Sequence, residues 1–101
     1  MTTKPHDAWT FLSNHAHVLI CIAQQADVRL SDVAERVGIR ERSVHRIVHD
    51  LCDAGYLTVT KVGRTNVYSL DLDQPLRHPL EAQHNIRAIV TRLLKKGKNA
   101  E

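Results

Sequence analysis

The chain has 101 residues, with 14 Lys plus Arg against 11 Asp plus Glu and a formal net charge of +3. That length fits one domain and excludes a typical doubly wound nucleotide fold or a TIM barrel of about 250 residues. Apolar residues make up 43%, enough for a small core, while aromatics reach only 4%, too few for a platform that stacks single-stranded nucleic acid.

Residues 1–12 read as an N-terminal tail, Met1 to Ala8, and a short apolar segment, Trp9-Thr10-Phe11-Leu12. Ser13 is a good N-cap for a helix from Asn14 to about Gln25, on which Val18, Leu19, Ile22, Ala23 and Ala26 recur at helical spacing. Ser31 is placed to cap a short helix, Asp32 to Val37, that Gly38 ends. A further helix starts near Arg40 or Glu41, carries Val44, Ile47, Val48 and Leu51 inward, and stops at Gly55. The period then changes. Leu57 and Val59 alternate with Thr58 and Thr60, Gly63 to Asn66 reads as a turn, and Val67 to Leu70 as the returning strand. Residues 73–79 read as a linker. Pro79 suits the first turn of a last helix, 80–96, with Leu80, Ile86, Ile89, Val90, Leu93 and Leu94 as its stripe and Lys95 and Lys96 at its negative end. Residues 97–101 read as a tail.

The expected fold is mainly α with a small β-hairpin. In the segment from Leu30 to His49, Ala34 permits a close helix crossing and Gly38 makes the sharp turn, while Val33, Val37, Ile39, Val44 and Ile47 lock two helices at a fixed angle. This is a helix-turn-helix pattern, whose second helix is held out to enter the major groove. Leu30 to Ile39, Ser43 to Val48 and Leu51 to Leu57 together resemble a winged helix-turn-helix transcriptional regulator, with greatest similarity to MarR-like and ArsR-like bacterial regulators. Gly63 to Leu70 is similar to their wing, and Trp9 to His15 looks like small actinobacterial members. The resemblance implies a three-helix core, a wing and an additional C-terminal helix, with a domain over 13–72. It also implies operator binding as a dimer, with the recognition helix in the major groove and the wing beside the backbone.

Helix geometry supports that reading. At about 100° per residue, Arg42, Arg46 and His49 fall opposite the apolar face, with His45 flanking them and Ser43 towards the other edge. Arg pairs bidentately with guanine, and both Arg and His meet phosphate. Arg40 stands where Ser or Thr is commoner, which weakens the cap and frees its side chain for a phosphate. Glu41 suits the helix dipole but repels phosphate, so it should turn from the backbone or accept from a cytosine. Lys61, Arg64, Thr65 and Asn66 cluster at the wing. The segment from Arg36 to Asn66 holds six Lys and Arg against three Asp and Glu, and the rest of the chain holds eight of each. The whole net charge therefore sits in this segment.

Other chemistry is thinner. His45, His49 and Cys52 share one side of a helix, and His at i and i+4 can share zinc, but the paired cysteines of ArsR-like metal sensors are missing. No metal or cofactor is expected. Asp50 and Asp53 read as a surface pair with no nucleophile arranged beside them, the glycines form no phosphate loop, and no enzymatic activity is expected. Cys21 and Cys52 read as small core residues, although an oxidation switch stays open. The last stripe either folds back on the domain or pairs with a second copy. A homodimer is favoured, joined through Trp9, Phe11, Ile86, Ile89, Val90, Leu93 and Leu94. Any effector pocket should then lie at the dimer interface. With no signal peptide or membrane span in view, a cytoplasmic location is expected. Two alternatives remain: a winged protein-interaction module that never touches DNA, and a regulator of the same fold that answers to a ligand, metal or redox signal.

Overall fold

The structure, a computed structural model, describes residues 9–94. The expectations for Met1 to Ala8, Lys95, Lys96 and 97–101 lie outside the described residues. The order is α1 (Asn14–Gln24), α2 (Leu30–Val37), α3 (Glu41–Asp53), β1 (Leu57–Val62), β2 (Thr65–Leu70) and α4 (Arg87–Leu94).

Helix α1 starts where its cap dictates: the Ser13 hydroxyl accepts from the Ala16 N–H at 3.3 Å. Val18, Leu19, Cys21 and Ile22 are buried, whereas Ala26 lies beyond the helix and is exposed. Ser31 does not cap α2. The helix begins two residues earlier than expected, at Leu30, and Arg29 stands at the cap without a side-chain hydrogen bond. Burial explains the shift. Starting there lines up Leu30, Val33, Ala34 and Val37 on the face that packs into the core, and an exposed hydroxyl cap does not outweigh that packing. Gly38 closes α2 at φ 88°, and the Gly38 and Ile39 N–H groups both donate to the Ala34 carbonyl, at 2.8 and 3.1 Å. An L side chain at that φ would be strained. The glycine thus sets the reversal that leads into α3.

The hairpin pairs Leu57 with Leu70 and runs to Val62 with Thr65. The turn is tighter than the sequence suggests: only Gly63 and Arg64 lie between the strands, so Thr65 and Asn66 belong to β2. Gly63 has φ 65°, as a two-residue hairpin turn favours. Leu57 and Tyr68 are buried and anchor the base, and the Tyr68 N–H reaches the Ala26 carbonyl at 2.9 Å. Val59 and Val62 are exposed, so the strands project from the body.

Residues 73–79 are not a free linker. The Tyr56 hydroxyl donates to the Pro75 carbonyl at 2.6 Å and the Gln74 amide to the Ala54 carbonyl at 2.9 Å. Leu72 and Leu76 pack on the core. Pro75 bridges Asn85, with the Leu76 N–H on His84 at 2.9 Å and the Ile86 N–H on Gln74 at 3.1 Å. This antiparallel strap takes the backbone groups that a helix from Pro79 would need. The last helix therefore starts at Arg87, and Pro79 and Leu80 sit exposed in turns. Ile86 and Val90, at 3% and 5% exposure, pack into the chain's own core, against α1. They are thus unavailable to a second copy, which corrects the expected join. Among the described residues, the large apolar side chains left outside are Trp9, Phe11, Leu80, Leu93 and Leu94, with Val59 and Val62 on the hairpin.

Candidate nucleic-acid interface

Helix α3 is oriented by its apolar face. Val44, Ile47, Val48 and Leu51 are all buried, worth roughly 6–12 kcal/mol together before entropy at about 1.5–3 kcal/mol each. A surface ion pair is worth about 0–1 kcal/mol, so no rearrangement on the polar side can rotate the helix. Arg42, Ser43, His45, Arg46 and His49 are accordingly exposed. Arg40 is the N-cap of α3 and makes no side-chain cap hydrogen bond. The Glu41 carboxylate accepts from His45 Nε2 at 3.3 Å, one turn along. That pair partly offsets the charge at the start of the helix.

At the wing, Lys61 and Asn66 are register partners beside the turn, Arg64 occupies the turn, and Thr65 follows it. All four are exposed. Among the described residues, no carboxylate lies within salt-bridge distance of Arg40, Arg42, Arg46, Lys61 or Arg64. Arg29 and Arg87, outside this segment, pair with Asp32 and Asp73, and Arg36 donates to Gln24. The cations of α3 and the wing therefore keep their charge for a partner.

One contact was not legible in the sequence. His15 Nε2 on α1 donates to Asp50 Oδ2 on α3 at 2.9 Å, across 35 positions of chain. This hydrogen bond holds the Asp50 carboxyl below its usual range, against a smaller upward pull from burial and with further downward help from His49 and Arg46. Both residues are half-exposed, and nothing local in either segment marks them as partners.

The remaining candidates do not assemble. Among the described residues, no three His, Cys, Asp or Glu side chains group as metal ligands, so His45, His49 and Cys52 form no site. Cys21 is buried and Cys52 half-buried, and burial followed by the Asp53 charge pushes the Cys52 thiol up, away from reactivity. A cleft of about 480 Å³ lies between α1, α3, the strap and the start of α4. Leu19, Leu51, Leu76, Ile86 and Ile89 contribute apolar walls, with His15, Asp50, Asp53, Arg77 and Glu81 as its charged or titratable residues. Phe11 also lines it, and Trp9 stacks edge-on against Phe11 with ring centroids 4.9 Å apart.

A tight helix-turn-helix, an outward cationic second helix and a projecting hairpin with a cation at its tip define the class. The chain is a winged helix-turn-helix protein, the architecture of DNA-binding transcriptional regulators. Its residues 12–60 match the IclR helix-turn-helix domain. Among solved structures, a mutant of ZitR from Lactococcus lactis shares the fold at TM-score 0.53 and 19% identity, over 97% of this chain and 68% of that one. The zinc-dependent MarR family transcriptional regulator AdcR in its Zn(II)-bound state gives TM-score 0.47 at 18% identity, over 67% of this chain and 49% of that one. The plasmid segregation protein TubR gives 0.39 at 22%, over 65% and 82%. This chain thus spans about half the length of AdcR. Among curated proteins, none matches the chain in sequence.

Proposed function

We propose that the chain is a sequence-specific regulator of transcription that binds double-stranded DNA. Helix α3 enters the major groove, where Arg42, His45, Arg46 and His49 meet base edges. Arg40, Ser43, Lys61, Arg64, Thr65 and Asn66 hold the backbone or reach the minor groove. The observation that carries this is the outward face of α3, whose arginines are exposed and, among the described residues, lack carboxylate partners, while its apolar face is locked in the core. The regulator acts as a homodimer, joined through Trp9, Phe11, Ile89, Leu93 and Leu94. Trp9 and Phe11, at 75% and 91% exposure and packed edge-on against each other, form an apolar patch that supports this join. Symmetric dimers suit paired half-sites about 34 Å apart.

The test is a mobility-shift titration of Arg42→Ala combined with Arg46→Ala. The variant should melt like the parent, because neither side chain touches the core, and should lose the cognate complex. Unchanged binding would sink the assignment of α3. The cleft beside α3 supports a ligand-responsive form of the same reading. A small molecule that fills it should raise the Tm and shift DNA affinity, and a Tm rise without any change in affinity would count against a regulatory role for the cleft.

A further inference from the structure

Helix geometry offers Asp50 a nearer partner than the one it takes. Arg46 and Asp50 stand at i and i+4 on α3, within reach of each other on the helix surface, although with the cation first this is the weaker order for such a pair. Glu41 with His45, at the same spacing but in the favoured acid-first order, is formed. Asp50 instead reaches off its own helix to His15 Nε2 at 2.9 Å, and Arg46 has no carboxylate partner among the described residues. Arg46 and His49 each also pull the Asp50 carboxyl down, more weakly than His15 does. An anion on the cationic face of α3 would cost DNA binding twice, by occupying the arginine and by repelling phosphate.

We propose that His15 is a positioning residue for DNA binding: it draws the Asp50 carboxylate against α1 and so leaves Arg46 unpaired for the DNA. The inference rests on the reading that α3 faces DNA. It assigns a role in that binding to a residue of the first helix, outside the helix-turn-helix and the wing. His15 itself need not touch the duplex. Without it, Asp50 turns to Arg46, and the helix presents an internal ion pair where it had a free cation.

The test uses the full chain with a short fluorescent duplex of mixed sequence at low salt, and four variants: His15→Ala, Asp50→Asn, the double variant, and Arg46→Ala. All the altered side chains are half-exposed or exposed, and thermal melts confirm that each variant folds. His15→Ala should weaken binding about two- to five-fold, the size of an exposed helix pair strengthened by a charged hydrogen bond. Asp50→Asn should bind at least as tightly as the parent, and adding it to His15→Ala should restore parental affinity. If the pair merely braced α1 against α3, the double variant would bind as weakly as His15→Ala, and the proposal would fall. It would fall equally if His15→Ala left affinity unchanged while Arg46→Ala weakened it, with the DNA-facing role of α3 intact. If Arg46→Ala had no effect either, both the proposal and the reading beneath it would fail.

Discussion

Arg64 offers a quantitative handle on how the wing is used. It sits in the two-residue turn between Val62 and Thr65, exposed and without a carboxylate partner among the described residues. Arg64→Ala therefore removes one cation and leaves the core intact. Gly63, whose φ the turn requires, is untouched. If Arg64 meets a phosphate, the slope of log K against log salt should become shallower by about 0.9 for each phosphate of B-DNA that is no longer neutralised. A dimer carries two wings, so its slope should change by about 1.8. Between 50 and 200 mM salt, that difference means the parent loses about twelve times more affinity than the variant. The weakening should be uniform across DNA sequences, since a phosphate carries no base information. Fluorescence anisotropy titrations across that salt range, on one duplex, measure both slopes. A change near 0.9 would indicate that one wing per complex touches DNA. An unaltered slope would refute the phosphate contact of Arg64.

Three other consequences can be checked separately. Gly38→Ala forces a side chain into a left-handed conformation, a cost of roughly 1–2 kcal/mol. The Tm should fall by about 4–8 °C per kcal/mol in a domain of this size, and an unchanged Tm would mean that the turn between α2 and α3 relaxes freely. Tyr56→Phe deletes the donor to the Pro75 carbonyl and should cost about 0.5–1.5 kcal/mol in chemical denaturation, with faster amide exchange confined to residues 72–76 and 84–87. Uniform exchange would show that the strap is not held by this bond. Phe11→Ser together with Leu93→Ser should shift the sedimentation coefficient from dimer to monomer without unfolding the chain, whereas a persistent dimer would place the join elsewhere.

What the sequence revealed and what it hid divide along physical lines. The faces of α3 were legible because four apolar residues at helical spacing fix the helix's rotation, and rotation decides which side chains face out. Gly38 was legible because few residues other than glycine hold its φ. The start of α2 was not, because the cap preference of Ser31 competed with the burial of Leu30, and burial prevailed. The start of the last helix is not legible from Pro79, a sound local signal, since the strap's pairing of Pro75 with Asn85 depends on residues ten apart meeting on a core surface. Splitting the final stripe between a buried Ile86 and Val90 and an exposed Leu93 and Leu94 likewise needs the position of α1. His15 with Asp50 is the extreme case. Neither segment carries a sign of the other, and only the packing of α1 on α3 brings them to 2.9 Å.

The central claim is that α3 and the wing recognise a particular duplex. Selection of DNA by the full chain from a random-sequence pool, at moderate salt, tests it most directly. A dimer reading DNA through α3 should enrich one motif arranged as two half-sites related by a two-fold axis, about 34 Å apart. A pool without an enriched motif, together with no binding even at low salt, would contradict the account and point to a winged domain that recognises protein instead.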